Sequence, residues 1–346
     1  MRTELTHLFA PYELKGHNIK NRIVMAPMEL LIRQTRGGFV NEGHLRHYGE
    51  RARSGIGLII VEATSVDPRS MNVESQLGAW SDEHIPGLRQ LAAECRRYGA
   101  KVMLQLQHLG VRMKQDPIGP SAFRDKSVHA REMTLKELHA LQDAYVSAVQ
   151  RAYQAGFDGI EFHGAHGYLL NQFSSPEVNR RADGYGGSLD ERLRFIKEIF
   201  DRARASTDER FIFGYRMGCN QPTIEEGVRM AQRLEQMGMD IIHVSSCGYS
   251  AFRPDLPSDF PYNWVIYGGS CIREQVDIPV IVVYEIRTPE RANDIIERGY
   301  GDFAAIGREL IVDADWVRKA AAGEEIRYCI RCQPCVIFSG KDCVML

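Results

Sequence analysis

The chain has 346 residues, 44% of them hydrophobic, enough for one sizeable core and too many for a minimal stapled domain. Lysine plus arginine (43) nearly balances aspartate plus glutamate (45), so no basic field points to nucleic acid. The start, MRTELTHLFAPYELKG, lacks the apolar core of a secretion signal, and no apolar run approaches membrane-spanning length; the expectation is a cytoplasmic protein whose 8 cysteines are reduced thiols or metal ligands.

In chain order, a turn at Lys15-Gly16 precedes a buried strand from Arg22 to Met25, with Ala26-Pro27-Met28 at its carboxyl end. A helical pattern from Asn41 to Ser54 leads to the apolar strand GLIIVEAT, and HIPGLRQLAAECRRYGAK leads to the strand VMLQLQH. Gly110 to Arg131 has little periodicity and reads as a loop at the rim of a pocket. Thr134 and Glu137 match a capping box, which opens a helix to about Gln154. The strand GIEFH follows, then a helix from Asp190 to Arg204, the strand FIFGYRM, a helix from Thr223 to Met237 and the strand MDIIHVSS. A long aromatic loop, Cys247 to Tyr267, precedes the strand DIPVIVV; TPERANDIIERGYGDFAAIGRELI adds a helix, a last strand and Gly307-Arg308. Eight strand and helix pairs predict an α/β fold, a TIM (β/α)8 barrel over residues 1–325, with a cysteine-rich extension over 326–346 and no second domain.

The chemistry concentrates in GIEFHGAHGYLLNQFSSPEVNRRADGYGGSLDERLRF, from Gly159 to Phe195. His163, His166 and Tyr168 fall within six residues, just past a strand's carboxyl end, where barrel folds carry their active sites. One such histidine alone would read as a cap and the tyrosine as core. Together, two imidazoles and a phenol can anchor an anionic oxygen and deliver a proton. The succession H-x-x-H-x-Y-L, Q-F-x-S-P, N-x-R, D-x-Y-G-G-S and E-R-x-R-F resembles the old yellow enzyme family of flavin-dependent ene-reductases, from about Leu8 to about Val317.

The resemblance implies FMN as cofactor, NADH or NADPH as electron donor, and a small substrate with an activated alkene. It implies hydride transfer from the flavin N5, with His163 and His166 on the activating carbonyl and Tyr168 as proton donor. It places Ala26, Pro27, Met28 and Ala63 against the flavin through backbone atoms. Gln105 would face the pyrimidine edge, Arg216 the N1 and C2-oxygen edge, and Gly307 with Arg308 the phosphate. Two residues depart from the pattern. Glu29 stands where the family has a small polar group, and its carboxylate either opposes charge on reduced flavin or turns away. Tyr284 stands where a glycine is expected near the phosphate, so the loop is not expected to follow the glycine path unchanged.

In the tail, Cys329, Cys332, Cys335 and Cys343 give C-x2-C-x2-C-x7-C, soft ligands suited to iron-sulfur or zinc. Family members resembling dienoyl-CoA reductase and trimethylamine dehydrogenase carry a [4Fe-4S] cluster on a four-cysteine motif here, with longer intervals. No G-x-G-x-x-G fingerprint occurs, so electrons would come from a nicotinamide directly or from a redox partner protein through the cluster. Oxidative demethylation of a methylated amine and electron transfer without small-molecule turnover stand as alternative activities. The sequence leaves the oligomeric state open, a homo-oligomer included.

Overall fold

The structure, a computed structural model, describes residues 4–29, 36–71, 73–125, 128–333, 335 and 343–345. Strands β1 (Ile23–Met25), β2 (Leu58–Ser65), β3 (Lys101–Gln107), β4 (Gly159–Gly164), β5 (Ile212–Gly218), β6 (Ile241–Ser245), β7 (Val280–Val282) and β8 (Phe303–Ile306) close into one parallel barrel in sequence order. The helices between them include α1 (Glu42–Arg53), α2 (Ile85–Arg96), α3 (Leu135–Gln154), α4 (Leu189–Arg204), α5 (Ile224–Met237), α6 (Trp264–Arg273) and α7 (Pro289–Glu297). The TIM barrel expected from the sequence is the observed fold.

Strand periodicity divides the core in two. Val24, Leu58, Ile60, Met103, Ile212, Ile241, Ile281 and Phe303 fill the barrel interior. Their neighbours Ile59, Val102, Leu104, Ile160, Phe162, Phe213, Ile242 and Val280 pack outward, in the layer shared with the helices. An antiparallel hairpin, Tyr12–Leu14 with His17–Ile19, sends Leu14 and Ile19 into the interior layer and plugs the amino-terminal end. Its turn is Lys15-Gly16, at φ 49° and 74°. With that end closed, chemistry is left to the other.

The expected capping box is present: the Thr134 side chain accepts from the Glu137 amide, and Glu137 accepts from the Thr134 amide. Two readings need revision. The segment Gly110 to Arg131 contains a small sheet, Ile118–Gly119, Phe123–Arg124 and His129–Glu132, whose strands are too short to show a period. The aromatic loop also ends sooner than expected, because Asn263 caps α6 by accepting from the amides of Val265 and Ile266. The Gly268-Gly269 pair inside α6 obscures its helical pattern.

Candidate active site at the carboxyl end of the barrel

Counting outward along the inward-facing positions, the interior turns from apolar to polar. Gln105 on β3 donates through Nε2 to Glu161 Oε1 on β4 (2.7 Å), and His243 on β6 donates through Nδ1 to Glu161 Oε2 (2.8 Å). All three side chains are buried. One step further out stand His163 on β4, Arg216 on β5 and Ser245 on β6; Arg216 is in register with His163 on one side and His243 on the other. Arg216 is buried and its Nε has no hydrogen-bond partner among the described residues. Burial lowers its pKa, while the carboxylate of Glu161 opposes that shift.

Past β4 the chain turns sharply. His166 takes φ 60° and Gly167 φ 77°, a left-handed pair that folds His166 back towards His163. His166 Nδ1 lies 3.3 Å from His163 Nε2, and the rings meet edge to face at 5.0 Å. The other nitrogen of His166, Nε2, lies 2.7 Å from Ser245 Oγ. If the Ser245 hydroxyl donates there, the neutral His166 carries its proton on Nδ1, directed at the shared space. Burial lowers the pKa of both imidazoles, and the nearby charge of Arg216 lowers them further, so both are neutral at neutral pH. The Tyr168 ring stands edge-on to His163 at 4.9 Å. Burial and the Glu29 carboxylate push its pKa up to about 12, against the opposing pull of Arg112 and Arg216.

The turn is held from several sides. Asn171 Oδ1 accepts from the amides of Gly167 (2.8 Å) and Gly248 (3.2 Å), and Tyr249 donates its hydroxyl to the Gly167 carbonyl (2.8 Å). A side chain at Gly248 would put its Cβ 2.2 Å from the Gly167 nitrogen, so these two loops require glycine contact.

Beside the histidines a cavity of about 360 Å³ is lined by Ala26, Met28, His166, Arg216, Ser245, Tyr284, Arg287, Gly307, Arg308 and Glu309, among others. A groove of about 720 Å³ lies elsewhere, between the amino-terminal helix and the last helix. It is larger but lacks the converging imidazoles, phenol and buried cation, which decide the assignment. Of the residues expected from sequence, His166, Arg216, Ala26, Met28, Gly307 and Arg308 line the site cavity directly. Pro27 is buried between Ala26 and Met28. Ala63 is buried, with its carbonyl taken by Gln76 Nε2 (2.9 Å), and Gln105 gives its amide nitrogen to Glu161, so neither is part of the cavity wall.

Tyr284 and Glu285 take φ 102° and 58°, so this loop adopts left-handed backbone without a glycine, at a cost of about 1–3 kcal/mol per residue. Sequence reading also missed Glu161, His243, Ser245 and Arg112. Stepping back in twos from His163 along the strand reaches Glu161, and the same step joins His243 to Ser245.

In the tail, Cys329 and Cys343 share an apolar cluster with Ile311 and Val312, and Cys335 and Met28 pack against it. Arg287 donates to the Cys329 carbonyl (2.6 Å), and the Cys329 amide donates to Glu309 (2.7 Å), so two cavity-lining residues hold the start of the tail. Cys332 is described and partly exposed, while the chain between Cys335 and Cys343 lies outside the described residues. Among the described residues no three metal-ligating side chains form a ready site, and no helix is long and apolar enough to cross a membrane.

Comparison with known proteins agrees with this geometry. The family model for the NADH:flavin oxidoreductase / NADH oxidase family matches residues 7–326. The chain is 39% identical to an NADPH dehydrogenase from Geobacillus sp. (strain WCH70), over 91% of this chain and 94% of that protein. It is also 39% identical to an NADH oxidase from Thermoanaerobacter brockii, over 95% of this chain but only 53% of that protein, so it spans about half of that relative. Among solved structures, an old yellow enzyme homologue from Zymomonas mobilis superposes with a TM-score of 0.78 at 26% identity, covering 94% of this chain and 95% of that one. With barrel, histidine pair, tyrosine and buried arginine in place, the chain belongs to the NADH:flavin oxidoreductase / NADH oxidase family, that of the old yellow enzymes.

Proposed function

We propose that the protein binds FMN at the carboxyl end of its barrel and reduces activated C=C bonds of the enone or enoate type with electrons from NADH or NADPH. The observation that carries this reading is the approach of His163 Nε2 and His166 Nδ1 to 3.3 Å, beside Tyr168 and the buried Arg216. The residues present fit FMN: a buried arginine whose Nε has no hydrogen-bond partner among the described residues suits the electron-rich edge of an isoalloxazine. Gly307 and Arg308, at the start of a short helix, suit its phosphate. Ala26, Pro27 and Met28 would meet the flavin through the backbone, while Ala63 and Gln105, tied to Gln76 and Glu161 behind the cavity wall, are left out of this reading. When bound, FMN supplies the hydride that the β-carbon of the alkene takes up.

The chain's own groups do the rest. His163 and His166, both neutral, donate to the carbonyl oxygen of the substrate as negative charge develops there. Tyr168 gives its hydroxyl proton to the α-carbon, and water restores it. The histidine turn, fixed by Asn171 and Tyr249, keeps donors and acid in place.

For the tail, the reading is a [4Fe-4S] cluster on Cys329, Cys332, Cys335 and Cys343, open to a redox partner protein. The gathering of Cys329, Cys335 and Cys343 around one apolar cluster, tied through Arg287 and Glu309 to the cavity wall, supports it. Anaerobically purified protein is then expected to hold about four irons per chain; zinc, or no metal, would make the tail structural.

The activity itself is tested by product analysis. With NADPH and cyclohexenone the expected product is the saturated ketone. Formation of the allylic alcohol, or electron uptake from trimethylamine with no alkene reduction, would reject the assignment.

A further inference from the structure

Arg112 is exposed, yet its guanidinium is packed onto the active-site turn. A Cβ built on Gly167, the residue between His166 and Tyr168, would lie 2.6 Å from Arg112 Nη2. The guanidinium carbon stands 5.6 Å from the centre of the Tyr168 ring and 5.9 Å from that of Tyr249. Two aromatic faces and a glycine backbone thus hold a solvent-facing cation against the catalytic turn. Arg112 belongs to no ion pair among the described residues, in contrast to neighbours such as Arg69 and Arg131, which are bound to carboxylates. The enone chemistry described above uses no charge at this position.

We propose that Arg112 is an anion anchor for the alkene, and that the favoured substrates carry a carboxylate or phosphate a few bonds from the double bond. This rests on the ene-reductase reading and narrows its substrate class. Guanidinium suits such groups because its paired N–H donors match two oxygens of one anion. The phosphates of a nicotinamide offer the same chemistry. Arg112, however, touches the turn that bears the carbonyl donors and the proton donor, whereas nicotinamide phosphates lie a whole ribose away from the reacting ring. The position therefore favours an anion on the alkene.

The test compares acetylacrylate with ethylideneacetone, the same enone with methyl in place of carboxylate. In Arg112→Ala, kcat/KM for acetylacrylate is expected to fall about 10- to 100-fold, the usual loss of a charge-assisted hydrogen bond. For ethylideneacetone it should fall less than about 3-fold, since this alkene carries no anion and the turn keeps its hydrogen bonds from Asn171 and Tyr249. Arg112→Lys should recover part of the loss for acetylacrylate alone, because it keeps the charge without the fork. An equal loss for both alkenes, or none for either, overturns the anchor. So does a loss confined to reduction by NADPH, which would assign the anion to the nicotinamide. If the wild-type protein reduces neither alkene, the ene-reductase reading itself has failed, and that result is distinct from all the others.

Discussion

Replacing Tyr168 with phenylalanine is expected to slow alkene reduction by about 100- to 10,000-fold, the usual contribution of a positioned general acid. Reduction by NADPH should stay near the wild-type rate, because no proton is delivered to carbon in that half of the cycle. The ring remains, so its edge-on contact with His163 at 4.9 Å and the packing of Arg112 are kept. The wild-type pH profile follows from the same geometry. A phenol pushed up to about 12 stays protonated across the neutral and mildly alkaline range. Histidines held below their ordinary pKa by burial stay neutral there too. The alkene half-reaction is therefore expected to be flat from about pH 7 to about pH 9. A titration near pH 6.5 that moved the rate would point to a histidine as the proton donor instead. Unchanged alkene reduction in Tyr168→Phe would remove Tyr168 from the chemistry.

The second large effect belongs to Arg216. Arg216→Met is expected to purify with little or no flavin and with lowered thermal stability. Glu161 would lose the influence of a buried cation and keep Gln105 and His243 as its hydrogen-bond partners among the described residues. The double variant Arg216→Met with Glu161→Gln should recover part of the thermal stability without regaining FMN, since the stranded carboxylate is gone but the flavin-facing cation is still missing. Full flavin occupancy in the single variant, judged by the ratio of visible to ultraviolet absorbance, would show that Arg216 is not the flavin contact.

What could be read from the sequence was what is local in it. The barrel strands announced themselves by apolar runs at even spacing, and the capping box at Thr134 by residues three apart. His163, His166 and Tyr168 fell in one loop, so their meeting needed only a strand end and a turn. The groups that hold them come from other strands. Gln105 and Glu161 are 56 positions apart, and His166 reaches Ser245 across 79. Nothing in the local pattern marks such pairs, because barrel closure alone brings them together. Arg112 was hidden for another reason: it sits in a stretch without periodicity, beside a small sheet too short to declare itself. At Tyr284 the residue type gave no sign of the left-handed backbone that the loop adopts, because such φ values favour glycine.

Alkene reduction at this site is tested most directly in the oxidative half-reaction, followed by anaerobic stopped-flow mixing of the NADPH-reduced protein with cyclohexenone. The expected result is the return of oxidised-flavin absorbance, with one cyclohexanone formed for each flavin reoxidised. A protein that stays reduced in the presence of the alkene, yet is reoxidised promptly by oxygen or by an electron-accepting protein, would contradict it.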